Sequence, residues 1–251
     1  MTASSSFSLD GRTVAVTGAN TGIGQGIAVA AARAGARVIG IGRSSMDETA
    51  ALCGDGFIAA SADLSDEAAR RQLVDHLWTD HGPLDGFVNN AGIIRRADAI
   101  AYSEADWDDV LDVNLKSLFV LCQAYARRVL AEGRRGKIVN IASLLSFQGG
   151  IRVPAYTASK HGVAGLTAAL CNEWAGSGIN VNAIAPGYIE SNNTEALRAD
   201  PDRSAAILAR IPAGRWGRPS DIGDAAVFLL APASDYMHGT VVPVDGGWLA
   251  R

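Results

Sequence analysis

Short runs rich in Val, Ile and Ala alternate with longer helical patterns, and no other feature constrains the fold as tightly. The strand-like runs cover residues 12–17 (RTVAVT), 37–41 (RVIGI), 57–62, 84–89, 137–143 (KIVNIAS), 179–185 (INVNAIA) and 240–244. Between them an Ala-rich helix runs to about Gly35, and another opens at Ser65, where Ser-Asp-Glu-Ala makes a cap. Further helical patterns cover residues 105–132, 155–175 and 221–230. This rhythm predicts an α/β fold: a doubly wound parallel sheet of about seven strands, covered on both faces by helices. No repeat or composition break divides the chain, so residues 9–251 read as one domain. Residues 1–8 are small and Ser-rich, without the basic and apolar blocks of a signal peptide, and read as a short flexible tail of a cytoplasmic protein. Residues 186–219 lack a regular pattern, and about 187–218 read as a substrate lid.

Composition excludes several classes. The chain of 251 residues is 48% hydrophobic with 28 Gly, enough for a large core with many tight turns. A net charge of −4 without a basic run argues against nucleic acid, and no apolar run is long enough to span a membrane. Cys53, Cys122 and Cys171 are far apart and read as reduced thiols, and His76, His81, His161 and His238 are scattered, so no metal site is expected.

A parallel sheet binds ligands beyond the carboxyl ends of its strands, and the polar turns fall there. Thr17-Gly18-Ala19-Asn20-Thr21-Gly22-Ile23-Gly24 links the first strand to the first helix. Its glycines allow a tight turn and close backbone approach, and the helix N-terminus offers free N–H groups to a pyrophosphate. Gly18, Asn20, Thr21, Gly22, Ile23 and Gly24 are therefore candidate cofactor residues in a Rossmann-type fold. Asp63-Leu64 ends the third strand and Asn89-Asn90-Ala91-Gly92 the fourth, which favours one long ligand running across the edge. The second strand ends in Gly42-Arg43-Ser44-Ser45, with no acidic residue to accept ribose hydroxyls. Arg43 and Ser44 could cradle a 2′-phosphate, so the expected cofactor is NADP. NAD, or use of both, is the alternative if Arg43 points to solvent.

The chain resembles the short-chain dehydrogenase/reductase family from Leu9 to its end. The resemblance rests on TGANTGIG at residues 17–24, NNAG at 89–92, Asn114 in DVNLKS, Ser143 in NIAS, Tyr156-Thr-Ala-Ser-Lys160, and Pro186-Gly187. The pieces AGIIRR, LLSFQGGIRVPAYTASK, RIPAGRWG and VDGGWLAR are similar to its sugar-acid branch. The resemblance implies hydride exchange between a nicotinamide cofactor and a secondary alcohol or ketone. It makes Ser143, Tyr156, Lys160 and Asn114 catalytic, with Asn114 supporting a water-linked proton path to the lysine. It also adds Pro186, Gly187 and Ile189 to the cofactor residues. A homotetramer is implied, built on the long helices around Asn114 and Tyr156 and on the apolar C-terminal segment.

Tyr156 and Lys160 are four positions apart, so a helix puts them on one face. A free tyrosine has a pKa of about 10 and is a poor base at neutrality. A nearby ammonium favours phenolate, which lets Tyr156 exchange a proton with the reacting oxygen while Ser143 hydrogen-bonds the same atom. A sugar acid would need cations and amides. Arg95 and Arg96 follow the NNAG turn, Gln148 and Arg152 precede Tyr156, and Asn192 and Asn193 sit in the lid. These favour a deoxy- or keto-sugar acid. The rival substrate is a 3-oxoacyl thioester on a carrier protein, with steroids and polyols behind it. A non-catalytic dinucleotide sensor is the reading from another class.

Overall fold

The computed structural model describes residues 6–251, apart from the side chain of Asn193. Seven strands form one all-parallel sheet: β1 Thr13–Thr17, β2 Arg37–Gly42, β3 Phe57–Ser61, β4 Gly86–Asn89, β5 Gly136–Ile141, β6 Ile179–Pro186 and β7 Val241–Val244. Their spatial order is β3-β2-β1-β4-β5-β6-β7. The order reverses between β1 and β4, which opens a crevice at their carboxyl ends.

The helices are α1 Gly22–Arg33, α2 Asp47–Cys53, α3 Glu67–His81, α4 Glu104–Leu111, α5 Ser117–Ala131, α6 Pro154–Trp174, α7 Glu195–Ala199, α8 Pro201–Leu208 and α9 Pro219–Leu230. Alternate strand residues feed opposite cores. Ala15 faces Leu77, Leu121, Tyr125 and Val163 of α3, α5 and α6. Val14 and Val16 face Ile27, Ala31, Ile222 and Leu229 of α1 and α9. A third cluster, Leu144, Ile211 and Trp248, packs with Tyr188 and Ile207.

Several elements differ from the sequence reading. Asp66, not Ser65, caps α3: its carboxylate accepts the Ala68 and Ala69 amides at 2.8 and 3.1 Å. Ser65 instead donates to Asp63. The long 105–132 pattern is two helices joined by a π turn, Asp112–Lys116. The irregular stretch after β6 contains α7 and α8, capped by Asp200, whose carboxylate accepts the Asp202 and Arg203 amides. Of the expected loose tail, residues 1–5 lie outside the described residues. Ser6 accepts the Ala233 amide at 2.9 Å and the Phe7 ring lies 5.9 Å from that of Phe228, so residues 6–7 are docked. Among the described residues no helix is long and apolar enough to cross a membrane.

Glycines let α1 and α9 touch. A Cβ on Gly223 would stand 2.5 Å from the Gly26 carbonyl oxygen and 2.8 Å from Ala30 Cβ. Gly223→Ala is therefore expected to cost about 1–3 kcal/mol through overpacking, read as a lowered Tm in a thermal melt. An unchanged Tm would mean the two helices part without loss.

Candidate active site

The crevice is built around the end of β1. The Thr17 hydroxyl accepts the Asn90 and Ala91 amides at 2.9 and 3.0 Å, and the Asn90 side chain donates to the Thr17 carbonyl at 2.9 Å. These bonds lock the glycine turn to the turn after β4. A Cβ on Gly24 would lie 2.0 Å from the Gly18 carbonyl oxygen, and Gly18 has φ +67°, so neither tolerates a side chain. Thr21 precedes α1 in extended conformation and its side chain does not cap the helix. The first-turn amides therefore remain available to an anion.

From that turn a cleft of about 780 Å³ runs across the sheet edge. Its walls include Gly18, Asn20, Thr21, Gly22, Ile23 and Gly24, then Arg43, Ser44, Asp63 and Leu64, then Asn90, Ala91 and Gly92, and finally Tyr156 and Lys160. All were expected from the sequence. Ile41, Ile93, Val113 and Ser191 also line it and were missed. As apolar or small residues on strands and turns they carry no sequence signal of their own. Thr17 was read as part of the glycine turn, but not as its clamp. Pro186, Gly187 and Ile189 lie outside the lining: Pro186 ends β6, the Gly187 amide donates to the Val244 carbonyl, and Ile189 is buried in a bridge to Gly217.

The cleft suits a dinucleotide along its length. At one end, the Asn20 side chain donates to Ser44 Oγ at 2.9 Å, and Arg43 lies 3.6 Å from Asp63 with most of its side chain exposed. Asp63 is held below the usual carboxylate range, first by the Ser65 amide and hydroxyl and less by Arg43. At the other end, α6 puts Tyr156 and Lys160 one turn apart, with Lys160 Nζ 5.5 Å from the centre of the tyrosine ring. Ser143 is not the last residue of β5 but stands two beyond it, capping a short 3-10 turn through the Leu145 amide at 3.1 Å. Burial pushes the Tyr156 phenol up, opposed by Ser143 and by the charge of Arg96. Without cofactor, Tyr156 is thus in its proton-donating form at neutrality.

Asn114 sits in the π turn rather than in an α-helix. Its oxygen accepts the Ile93 amide and its nitrogen donates to the Ile93 carbonyl, both at 2.8 Å, and to Ser159 Oγ at 3.3 Å. The side chain therefore clamps the loop after the NNAG turn against α6. The substrate candidates separate. Arg95 lines the cleft, held by Asp106 and Asp109 at 3.3 and 3.7 Å. Arg96 acts electrostatically on Tyr156. Arg152 and Gln148 lie outside the lining, and Arg152, in a left-handed conformation (φ +64°), pairs with Asp98 at 3.0 Å. Asn192 lines the cleft, while the Asn193 side chain lies outside the described residues. No cluster of metal-ligating side chains occurs among the described residues.

Lys160 is 4% exposed, and its Nζ donates to the Ile141 carbonyl at 2.6 Å. Burial lowers its pKa from 10.5 to about 8. The folded protein therefore holds this proton less firmly than the unfolded chain does. The penalty is whole below about pH 8, shrinks as pH rises to 10.5, and vanishes above it. It is on the order of 3 kcal/mol at pH 7, offset by about 1 kcal/mol from the carbonyl bond. Lys160→Met should accordingly melt above the wild type at pH 7, with the gap closing toward pH 10. A gap independent of pH would show that Lys160 is buried without its charge.

Residues 18–249 match a family described as Enoyl-(Acyl carrier protein) reductase. The 2-dehydro-3-deoxy-D-gluconate 5-dehydrogenase of Dickeya dadantii is 54% identical over 248 residues, covering 98% of each chain. A crystal structure from Agrobacterium tumefaciens, of a candidate 2-deoxy-D-gluconate 3-dehydrogenase with bound NADP, aligns with a TM-score of 0.94 at 61% identity, covering 98% of this chain and 100% of that one. One from Beutenbergia cavernae, of a candidate NAD(P)-dependent gluconate 5-dehydrogenase with bound NADP at low occupancy, gives 0.94 at 52% identity over 98% and 99%. Agreement of this extent in both sequence and backbone goes well beyond a shared sheet: the chain belongs to the short-chain dehydrogenase/reductase family.

Proposed function

We propose that this protein is a cytoplasmic NADP(H)-dependent oxidoreductase that interconverts a secondary alcohol and a ketone on a deoxy- or keto-gluconate type sugar acid. One observation carries the reading: the Tyr156 phenol, with Lys160 Nζ 5.5 Å from the centre of its ring, closes the cleft that begins at the glycine turn. The relatives named for gluconate-type substrates support the substrate class. The NADP in related structures supports the cofactor, as do Gly42, which carries no carboxylate, and Arg43 and Ser44 beside it.

When bound, the nicotinamide gives or takes the hydride at the substrate carbon. The residues of the chain handle the oxygen. In reduction, Tyr156 donates its proton to the ketone oxygen and Ser143 donates a hydrogen bond to the same atom, so the alkoxide never forms free. In oxidation, Tyr156 must first lose its proton, and the Lys160 ammonium stabilises the phenolate. Oxidation therefore gains with rising pH until Lys160 itself deprotonates, near its pKa of about 8. Asn114 keeps the Ile93 loop against α6, which fixes the distance between the cofactor turn and Tyr156. Arg96, helped by Arg95, is the proposed carboxylate anchor, and residues 187–218, with α7 and α8, form the proposed lid. Arg152 is engaged by Asp98 and serves the loop rather than the substrate.

The decisive assay offers 2-keto-3-deoxygluconate, 2-deoxygluconate, gluconate and acetoacetyl thioesters with both cofactors. The expected result is turnover of a sugar acid, at least tenfold better in kcat/KM with the 2′-phosphorylated cofactor. Tyr156→Phe should lose about a hundredfold or more in kcat with NADPH affinity kept. Arg96→Ala should raise KM for the acid far more than Arg152→Ala does. Turnover of thioesters alone would overturn the assignment, and a clear NADH preference would overturn the cofactor.

We also propose a homotetramer. Leu111 of α4, Leu115, Phe119 of α5 and Leu166 of α6 line a shallow apolar groove of about 530 Å³, on the helices expected to meet a neighbour. The C-terminal segment is a weaker part of that interface, because Trp248 is spent within its own chain, 4.7 Å from the Tyr188 ring and under the Arg210 guanidinium. Light scattering should report four chains per particle, and Phe119→Glu should reduce that number. A wild-type monomer at micromolar concentration would reject the assembly.

A further inference from the structure

Arg70 of α3 is the largest fully buried side chain of the protein, and no part of the mechanism above uses it. Its guanidinium joins two places that are far apart in sequence. One nitrogen, Nη1, donates to the Leu64 carbonyl at 3.3 Å, in the turn that lines the cleft after β3. Nη1 and Nη2 together grip the Asp112 carboxylate, the Nη2 bond being 3.0 Å. Asp112 is the first residue of the π turn, and Asn114 lies two residues on. The grip holds the Asp112 carboxyl well below the usual range, with Lys116 adding a second cation at 3.4 Å.

A π turn is a rare departure from the α-helix, mostly a single turn inside one. Here two contacts from outside the helix bear on it: Arg70 holds its start, and Asn114 reaches across to Ile93, while the Ser117 hydroxyl satisfies the Val113 carbonyl within the helix. Without the first, the chain from α4 to α5 could relax to continuous α-helix, and Asn114 would rotate away from the Ile93 loop. The bidentate fork matters, because it fixes the orientation of Asp112 and not only its charge.

We propose that Arg70 is a positioning residue. Through Asp112 it aims Asn114, and through Leu64 it ties that aim to the wall of the cleft after β3. The proposal rests on the hydride-transfer reading only for its kinetic consequence. Four variants test it: Arg70→Met, Arg70→Lys, Asp112→Asn, and the double variant Arg70→Met with Asp112→Leu. Each is followed by thermal melting, by kcat and KM, and by hydrogen exchange at the Ile93 amide. Asp112→Asn and Arg70→Lys should lower kcat at least tenfold, Asp112→Asn with KM for NADPH within threefold of wild type. Exchange at Ile93 should quicken at least tenfold. The double variant removes both charges together, so it should recover most of the Tm lost by Arg70→Met alone while remaining slow. Recovery of kcat along with Tm in the double variant would overturn the proposal, as would unchanged Ile93 exchange in Asp112→Asn. The exchange measurement needs no substrate, so it stands even if no sugar acid is turned over.

Discussion

The hydroxyl of Thr17 is the contact on which the rest of the site depends. In an all-parallel sheet every carboxyl end points the same way, and at the switch between β1 and β4 the chain leaves in two directions. Backbone groups there run out of ladder partners and must be satisfied otherwise. Thr17 takes two amides of the Asn90 turn, and Asn90 returns the bond to Thr17. The exchange sets the width of the crevice and the entry to the glycine turn. It also fixes where Ile93 begins, and Ile93 is the residue that Asn114 holds. From β1 to Ser159, next to Lys160, the site is joined by these hydrogen bonds and the short backbone link from Ala91 to Ile93.

Two buried lysines differ in how their charge is met. Lys137, at the start of β5, is 4% exposed but meets Asp235 at 2.7 Å, Ser234 and the Ala231 carbonyl. It pins the segment after α9 to the far end of the sheet. Lys160 is equally buried, and the acceptor found for its ammonium is the Ile141 carbonyl. No carboxylate is among the causes that set its pKa. A buried charge held so sparingly is costly to the fold, and that cost is characteristic of functional sites.

The sheet, its cleft edge and the placing of Tyr156 and Lys160 on one helix beside the cleft were legible in the sequence because each rests on local patterning. Buried parallel strands read as unbroken Val and Ile runs, glycines mark turns that only glycine can make, and Tyr156 and Lys160 share a helix face by spacing alone. What stayed hidden depends on tertiary contact. The π turn at Asp112–Lys116 looks helical in any window of the sequence, since its one extra residue per turn leaves no mark on the apolar period. Helix α2 spans seven residues between a turn and a glycine, too few to show periodicity. Helices α7 and α8 follow a polar stretch and contain no fully buried residue, so no apolar stripe announced them.

The arginines carry the same lesson into function. In the sequence Arg70, Arg95, Arg96 and Arg152 are four identical cations, and proximity to the NNAG turn or to Tyr156 favoured the last three. The fold assigns each by its partners. Arg152 is bound to Asp98, and its own carbonyl accepts the Ala97 amide, so it ties two surface loops together. Arg95 is shared between Asp106 and Asp109, which orients it along the cleft wall but spends much of its charge. Arg96 acts on the phenol of Tyr156, favouring its charged form. Arg70, on a helix and far from every motif, is buried to the tip against Asp112 and Leu64. A guanidinium acts on whatever its fork meets, and in this chain those acceptors come from turns that only the folded sheet brings together.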